Sequence, residues 1–323
     1  MRGAVVVSDH VEERFGRRIE LIAPRMPRLV LRGNGLDGDP GGAEIAYFSG
    51  DLYPERGRDF FLPMLEAHSL KWLHSFSAGV DHPVFHRFLE AGVRLTTSSG
   101  ASSATIAETA MLFVLHLSRR FWRYEQARAE RAWRPHDVQE LAGATMLIVG
   151  MGPIGNELAR RAHAFGMNVV ALTRTPRLHD GFPARPLTEL DDALAAADYV
   201  VLALPLTPQT RGMFDASRLA RMKPGAFFIN VARGELVDEP ALIQALQRGE
   251  LAGAALDVFA EEPLPESSPL WTMPNVIVTP HASGRSLQSN DRATEIFLDN
   301  LARYLRDEPL RNEVHAGDTG ASS

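Results

Sequence analysis

Three polar residues in the second half of the chain carry side chains suited to moving a proton onto an oxygen. His281 can donate that proton. Glu262 can bond the other ring nitrogen, fixing the tautomer and favouring the protonated ring. Arg233 can fork onto a carboxylate and an adjacent carbonyl oxygen, polarising the latter. Taken singly, each has a plainer role: an ion-pair partner, a solvated loop acid beside Glu261 and Pro263, a strand-end cap. Together they are the parts a carbonyl reduction needs, apart from a source of hydride. Gly150-Met151-Gly152-Pro153-Ile154-Gly155 points to that source, since G-x-G-x-x-G is a dinucleotide-binding pattern. In such a turn Gly150 permits the tight bend, Gly152 lets the backbone approach a pyrophosphate, and Gly155 allows close helix–strand packing.

These residues act together only if the elements around them align. The pattern follows an apolar strand, Thr145–Val149, and opens a helix whose buried face reads Ile154, Leu158, Ala162 and Phe165, ended by Gly166. The helix N-terminus then presents free N–H groups to phosphates. Further strands are expected at Val169–Thr173, Tyr199–Leu204, Ala226–Asn230, Ala254–Asp257 and Val276–Thr279. Six strands with helices between them make a doubly wound parallel sheet. Ligands in such sheets sit beyond the carboxyl ends of the strands. Arg233, Glu262 and His281 all fall just after strand ends, which puts them on one edge.

The first hundred residues read as a smaller α/β unit, with buried strands at Ala4–Val7, Leu29–Leu31, Ile45–Phe48, Trp72–Phe76 and Val93–Thr97 and a loop over Gly33–Gly42. A single long helix is expected from about Ala104 to Ala127, then a breaker at Trp133-Arg134-Pro135. The last helix, about Asp291 to Arg306, aligns Phe297, Leu301, Tyr304 and Leu305 and should pack back on the first unit. Residues 317–323 read as a small, polar, disordered tail.

The end of the second strand selects between cofactors. An acid there would bond the ribose hydroxyls and repel a 2′-phosphate. The sequence is Leu172-Thr173-Arg174-Thr175-Pro176-Arg177, with no acid. Thr173 removes the repulsion, and Arg174 and Arg177 can pair a 2′-phosphate at about 1.5–3 kcal/mol per bond. NADP is therefore expected over NAD, with NAD as the second cofactor the turn admits.

Asn230-Val-Ala-Arg233-Gly-Glu-Leu-Val-Asp238, Asp257-Val-Phe-Ala-Glu-Glu262-Pro-Leu-Pro265 and Thr279-Pro-His281 resemble the signature blocks of the D-isomer-specific 2-hydroxyacid dehydrogenase family. So does Leu204-Pro-Leu-Thr-Pro-Gln-Thr-Arg-Gly212, which in that family lines the cofactor cleft. The likeness runs from about Ser77 to Val314. It implies a catalytic Arg233, Glu262 and His281, and a Rossmann cofactor domain (100–285) inserted in a smaller flavodoxin-like substrate domain (1–99 with 286–323). It also implies hinge motion between the domains and a homodimer built around the helix near 104–127. By the same resemblance Ala78, Gly79 and Val80 hold the substrate carboxylate through backbone N–H groups. Leu204, Pro205, Thr210, Val231, Ala232, Asp257, His281, Ser283 and Gly284 join the glycine turn and Thr173, Arg174 and Thr175 around the cofactor. The implied reaction passes a hydride to a small 2-oxo acid of the glyoxylate or hydroxypyruvate kind. The sequence departs from the family at Thr173, where Asp is frequent, and at Arg285, which either contacts substrate or faces solvent.

Composition removes other classes. Net charge is −6, so no basic surface offsets phosphate repulsion and nucleic acid is not expected as a partner. The chain has no cysteine, which excludes disulfides, thiolate metal sites and cysteine nucleophiles. No run reaches the ~20 apolar residues of a membrane span, and Ala4–Val7 is too short for a signal peptide core, so a cytoplasmic protein is expected. His82 and His86 have helical i, i+4 spacing but no evident third ligand, so no metal is expected. His74 reads as a satisfied core residue. Two other readings stand beside the reductase. Phosphoglycerate dehydrogenases resemble it but usually extend further, and NAD(P)-sensing corepressor relatives usually carry long disordered tails.

Overall fold

The computed structural model describes residues 3–33, 35–176 and 178–315. The chain divides into two compact units, Met1–Ser102 with Arg285–Ser323, and Ser103–Gly284.

In the first unit, five parallel strands lie in the order Arg28–Arg32, Ala4–Ser8, Ala43–Phe48, Trp72–Ser75 and Arg94–Thr97. That is the 2-1-3-4-5 order of flavodoxin-like sheets. Short antiparallel strands, Gly35–Leu36 and Glu313–Val314, close the two edges; the former lies inside the segment expected as loop. Ala4–Ser8 is buried throughout, and apolar as far as Val7, because both faces are covered. Val6 faces a core with Phe60 and Leu73, while Val5 and Val7 face another with Trp72, Phe297 and Leu301. The last helix, Leu287–Leu305, supplies Phe297 and Leu301 to that second core. It begins four residues earlier than the sequence predicts, because Ser286 and Ser289 cap it reciprocally where the familiar box has Glu or Gln at the third position.

His74 is fully buried in this unit, its Nδ1 2.6 Å from Thr96 Oγ1 and its Nε2 2.9 Å from Ser98 Oγ. Burial pushes its pKa down from 6.5 to about 3. Between those values the unfolded chain binds the extra proton, so stability rises with pH there and is lost as pH falls toward 3. A His74→Gln variant should flatten that acid limb by on the order of a few kcal/mol. Denaturant midpoints across the window check this; an unchanged limb would contradict it.

The second unit has seven parallel strands in the order Phe182–Pro186, Asn168–Thr173, Thr145–Val149, Tyr199–Leu202, Phe227–Asn230, Gly253–Leu256 and Val276–Val278. Its direction of growth reverses beside Thr145–Val149, which is the switch point of a doubly wound sheet. The sequence reading misses Phe182–Pro186, whose two prolines and preceding Gly181 look like a turn. The strand is tolerated near the sheet edge, where only the two-residue strand Leu178–His179 lies beyond it. The expected helix over 104–127 is in fact two, Ser103–Ser118 and Phe121–Ala129, broken where Arg120 turns left-handed at φ 45° with no Gly or Pro to mark it. Phe165, expected on a buried face, is 46% exposed. It is the C-cap, beyond the last helical residue Ala164, so the periodicity that buries Leu158, Ala159 and Ala162 does not carry on to it. Asn34, Arg177 and the expected disordered tail lie outside the described residues.

Candidate active site

The strand Thr145–Val149 delivers the chain into the glycine turn, and the helix Pro153–Ala164 leaves it. Gly150 has φ 110°, and a Cβ there would lie 2.5 Å from the Ala203 carbonyl oxygen. A Cβ at Gly155 would meet the Gly150 carbonyl oxygen at 2.1 Å. Those two glycines let the backbone fold on itself. Gly152 differs: its φ of −78° suits any residue, and a Cβ there would meet nothing within 4 Å. The fold does not require glycine at 152, and the open space beside it fits the close approach of a pyrophosphate. Gly152 is also the N-cap and has no side chain to offer, so the N–H groups of the first helical turn keep their capacity for an anion. A Gly152→Val variant should therefore keep the wild-type melting temperature while weakening NADPH binding at least tenfold, roughly 1.4 kcal/mol. Calorimetric titration checks it, and unchanged affinity would remove the turn from the cofactor site.

Other residues expected around a cofactor gather at the same carboxyl edge of this sheet. Thr173 ends its strand half-buried, with Arg174 and Thr175 exposed after it. Met151 and Leu204 are buried, and Pro153 and Pro205 exposed. Thr210 folds the segment after Leu204 into a compact turn, its hydroxyl donating to the Pro205 carbonyl (2.9 Å) and accepting from the Thr207 amide (2.8 Å). Val231 and Ala232 are buried below Arg233.

The three polar residues converge. His281 Nδ1 lies 2.8 Å from Glu262 Oε2, and Glu262 Oε1 accepts from the Phe259 amide at 3.1 Å. Partial burial tends to raise the Glu262 pKa, but the bonds from His281 and Phe259, with the charges of His281 and Arg233, hold it below the usual carboxylate range. Glu262 therefore stays anionic at neutral pH and can support an imidazolium. Arg233 is half-buried, with Nη1 donating to the Ala232 carbonyl at 2.7 Å.

Two positioning residues escape the sequence reading. Asn230, 1% exposed, donates from Nδ2 to the Arg233 carbonyl (2.7 Å) and accepts at Oδ1 from the Ala232 amide (3.0 Å), shaping the turn that presents the guanidinium. Gly234 brings the Arg233 loop against the Glu262 loop, since a Cβ there would fall 1.9 Å from the Phe259 carbonyl carbon. The glycine was visible as a residue type, but the contact that requires it is 25 positions away; the asparagine acts within three residues, through a turn that its residue type alone does not announce. Asp257 is fully buried, with its carboxylate turned onto the loop of residues 279–283. Ser283 is buried in that loop, and Gly284 follows it partly exposed.

In the first unit, the segment after Trp72–Ser75 is shaped by hydroxyls. Ser77 Oγ donates to the Gly79 carbonyl (2.7 Å) and meets Ser75 Oγ at 2.8 Å. This holds Ala78 and Gly79 at the surface, with Val80 beneath them. His82 Nδ1 accepts from the Val84 amide at 3.2 Å and caps the helix Pro83–Glu90, which carries His86. Among the described residues no helix is long and apolar enough to cross a membrane.

The family described as D-isomer specific 2-hydroxyacid dehydrogenase, NAD binding domain, matches residues 111–283. The chain is similar to a glyoxylate/hydroxypyruvate reductase B of Escherichia fergusonii, with 38% identity over 263 residues, or 79% of each chain. Among solved structures it resembles a D-isomer specific 2-hydroxyacid dehydrogenase from Xanthobacter autotrophicus in complex with NADPH and MES, with 33% identity, a TM-score of 0.81 and 98% of each chain covered. It also resembles an NADPH-dependent glyoxylate/hydroxypyruvate reductase from Sinorhizobium meliloti, with 30% identity, a TM-score of 0.80 and 98% and 99% covered.

Proposed function

Because the chain belongs to the D-isomer specific 2-hydroxyacid dehydrogenase family, we propose that it reduces a small 2-oxo acid with NADPH, giving a D-2-hydroxy acid. The observation that carries this reading is the 2.8 Å contact between His281 Nδ1 and Glu262 Oε2. It commits Nδ1 to the carboxylate and leaves Nε2 as the atom that gives its proton to the substrate oxygen. Arg233 binds the substrate's carboxylate and draws charge from its carbonyl. In the first unit, the amides of Ala78, Gly79 and Val80 are the family's candidates for binding a carboxylate. The nicotinamide supplies the hydride when bound. Its pyrophosphate is received by Gly150 to Gly155, with Leu204, Pro205, Thr210, Val231, Ala232, Ser283 and Gly284 around it.

The absence of an acid at Thr173 and the exposed Arg174 support NADPH over NADH. Relatives whose names or bound ligands specify glyoxylate, hydroxypyruvate and NADPH support both the cofactor and a short substrate. Leu112, Phe121, Tyr124 and Trp133 are exposed apolar residues on and beside the helices Ser103–Ser118 and Phe121–Ala129. They supply the face on which a homodimer would form. A cytosolic site of action belongs to the same proposal.

Comparing kcat/KM for the two cofactors tests the cofactor reading. One or two charged hydrogen bonds at about 1.5–3 kcal/mol each predict a preference for NADPH of at least about tenfold. A preference for NADH would overturn it.

A further inference from the structure

The loop carrying His281 is wrapped around a single buried acid. Asp257 is 0% exposed, and among the described residues no Lys or Arg pairs with it. Its charge is met by donors from the loop instead. Oδ1 accepts from Thr279 Oγ1 (2.6 Å) and the Ala282 amide (2.9 Å), and Oδ2 accepts from the Ser283 amide (3.0 Å). The Asp257 carbonyl accepts from the His281 amide at 2.8 Å. Successive N–H groups converge on an acceptor in this way where the backbone switches hand. The residue that switches is His281 itself, at φ 48°, a conformation few non-glycine residues adopt. Asp257 also begins the segment that ends in Glu262, so both partners of the 2.8 Å contact leave from one anchor.

We propose that Asp257 is a positioning residue that holds His281 in its left-handed conformation and so aims the imidazole at Glu262. The resemblance groups Asp257 with the cofactor residues; its bonds to Thr279, Ala282 and Ser283 tie it also to the loop that carries His281. The inference rests on His281 being the proton donor. An asparagine in its place keeps the shape but turns an NH2 toward a loop amide where an acceptor is needed, and the loop must shift.

The test compares Asp257→Asn, Thr279→Val and Thr279→Ser with wild type and His281→Ala, measuring kcat, KM for the 2-oxo acid and NADPH affinity by titration. Misplacing the donor by about 1 Å predicts a loss in kcat of up to about 100-fold for Asp257→Asn, with NADPH affinity unchanged. Thr279→Val should lose kcat in the same direction by less, and Thr279→Ser, which keeps the hydroxyl, should restore it. Should Asp257→Asn fail to fold, the threonine pair decides alone. Weakened NADPH binding with kcat intact at saturation would overturn the proposal and return Asp257 to the cofactor. Wild-type kcat in all three variants with His281→Ala inactive would overturn it while sparing the donor. Normal turnover in His281→Ala would overturn both.

Discussion

Replacing His281 by alanine lowers kcat for 2-oxo acid reduction by about 10²–10⁴, the usual worth of a positioned general acid. The substrate oxygen gains negative charge as hydride arrives, and without the imidazole only water or the Arg233 guanidinium remains to meet it. KM should change little, because in the proposed mechanism Arg233 still binds the carboxylate. The same chemistry sets the pH dependence. Glu262 is held below the ordinary carboxylate range, so the supporting charge persists well into acid and is lost only as pH falls through that lowered value. Reduction should therefore hold down into acid and fall only as pH drops through that lowered value, where Glu262 is protonated and no longer supports the imidazole. Steady-state rates in both directions across pH check this. A His281→Ala enzyme with near-normal kcat would remove the donor.

Arg233→Ala should damage both parameters. In the proposed reaction its guanidinium binds the carboxylate before the hydride moves and the developing oxyanion as it does, so KM should rise and kcat fall together. Loss of a two-pronged, charge-assisted interaction costs about 3–4 kcal/mol, or ~10²–10³ in kcat/KM. Arg233→Lys restores the charge without the fork and should recover only part of this. Its removal also takes away one of the charges that keep Glu262 ionised, which adds a small shift in the pH profile. Unchanged kinetics in Arg233→Ala would make the residue structural.

The parts of this site that were legible in the sequence are those written in short spacings. Gly150 to Gly155 demand strand, turn and helix within a dozen residues, and positions just past strand ends fall on one sheet edge whatever the long-range packing. What escaped depends on distant pieces meeting. The grip of Asp257 on residues 279–283 spans more than twenty positions, and Gly234 is needed only because the Phe259 backbone lies against it. The break at Arg120 has no local cause in composition: the helix Ser103–Ser118 ends with its buried face, and the chain turns there with an ordinary residue in a left-handed conformation. Phe182–Pro186 was hidden by prolines that only an edge position permits.

The family relationship and the fold are common to many chemistries on this sheet, so turnover itself is the direct test. Wild-type protein with NADPH would be given glyoxylate, hydroxypyruvate, pyruvate, phenylpyruvate and branched 2-oxo acids in turn, following loss of the reduced cofactor. Saturable oxidation of NADPH by at least one short 2-oxo acid, with the D-hydroxy acid as product, is the predicted result. Tight NADPH binding with no turnover across the panel would contradict it.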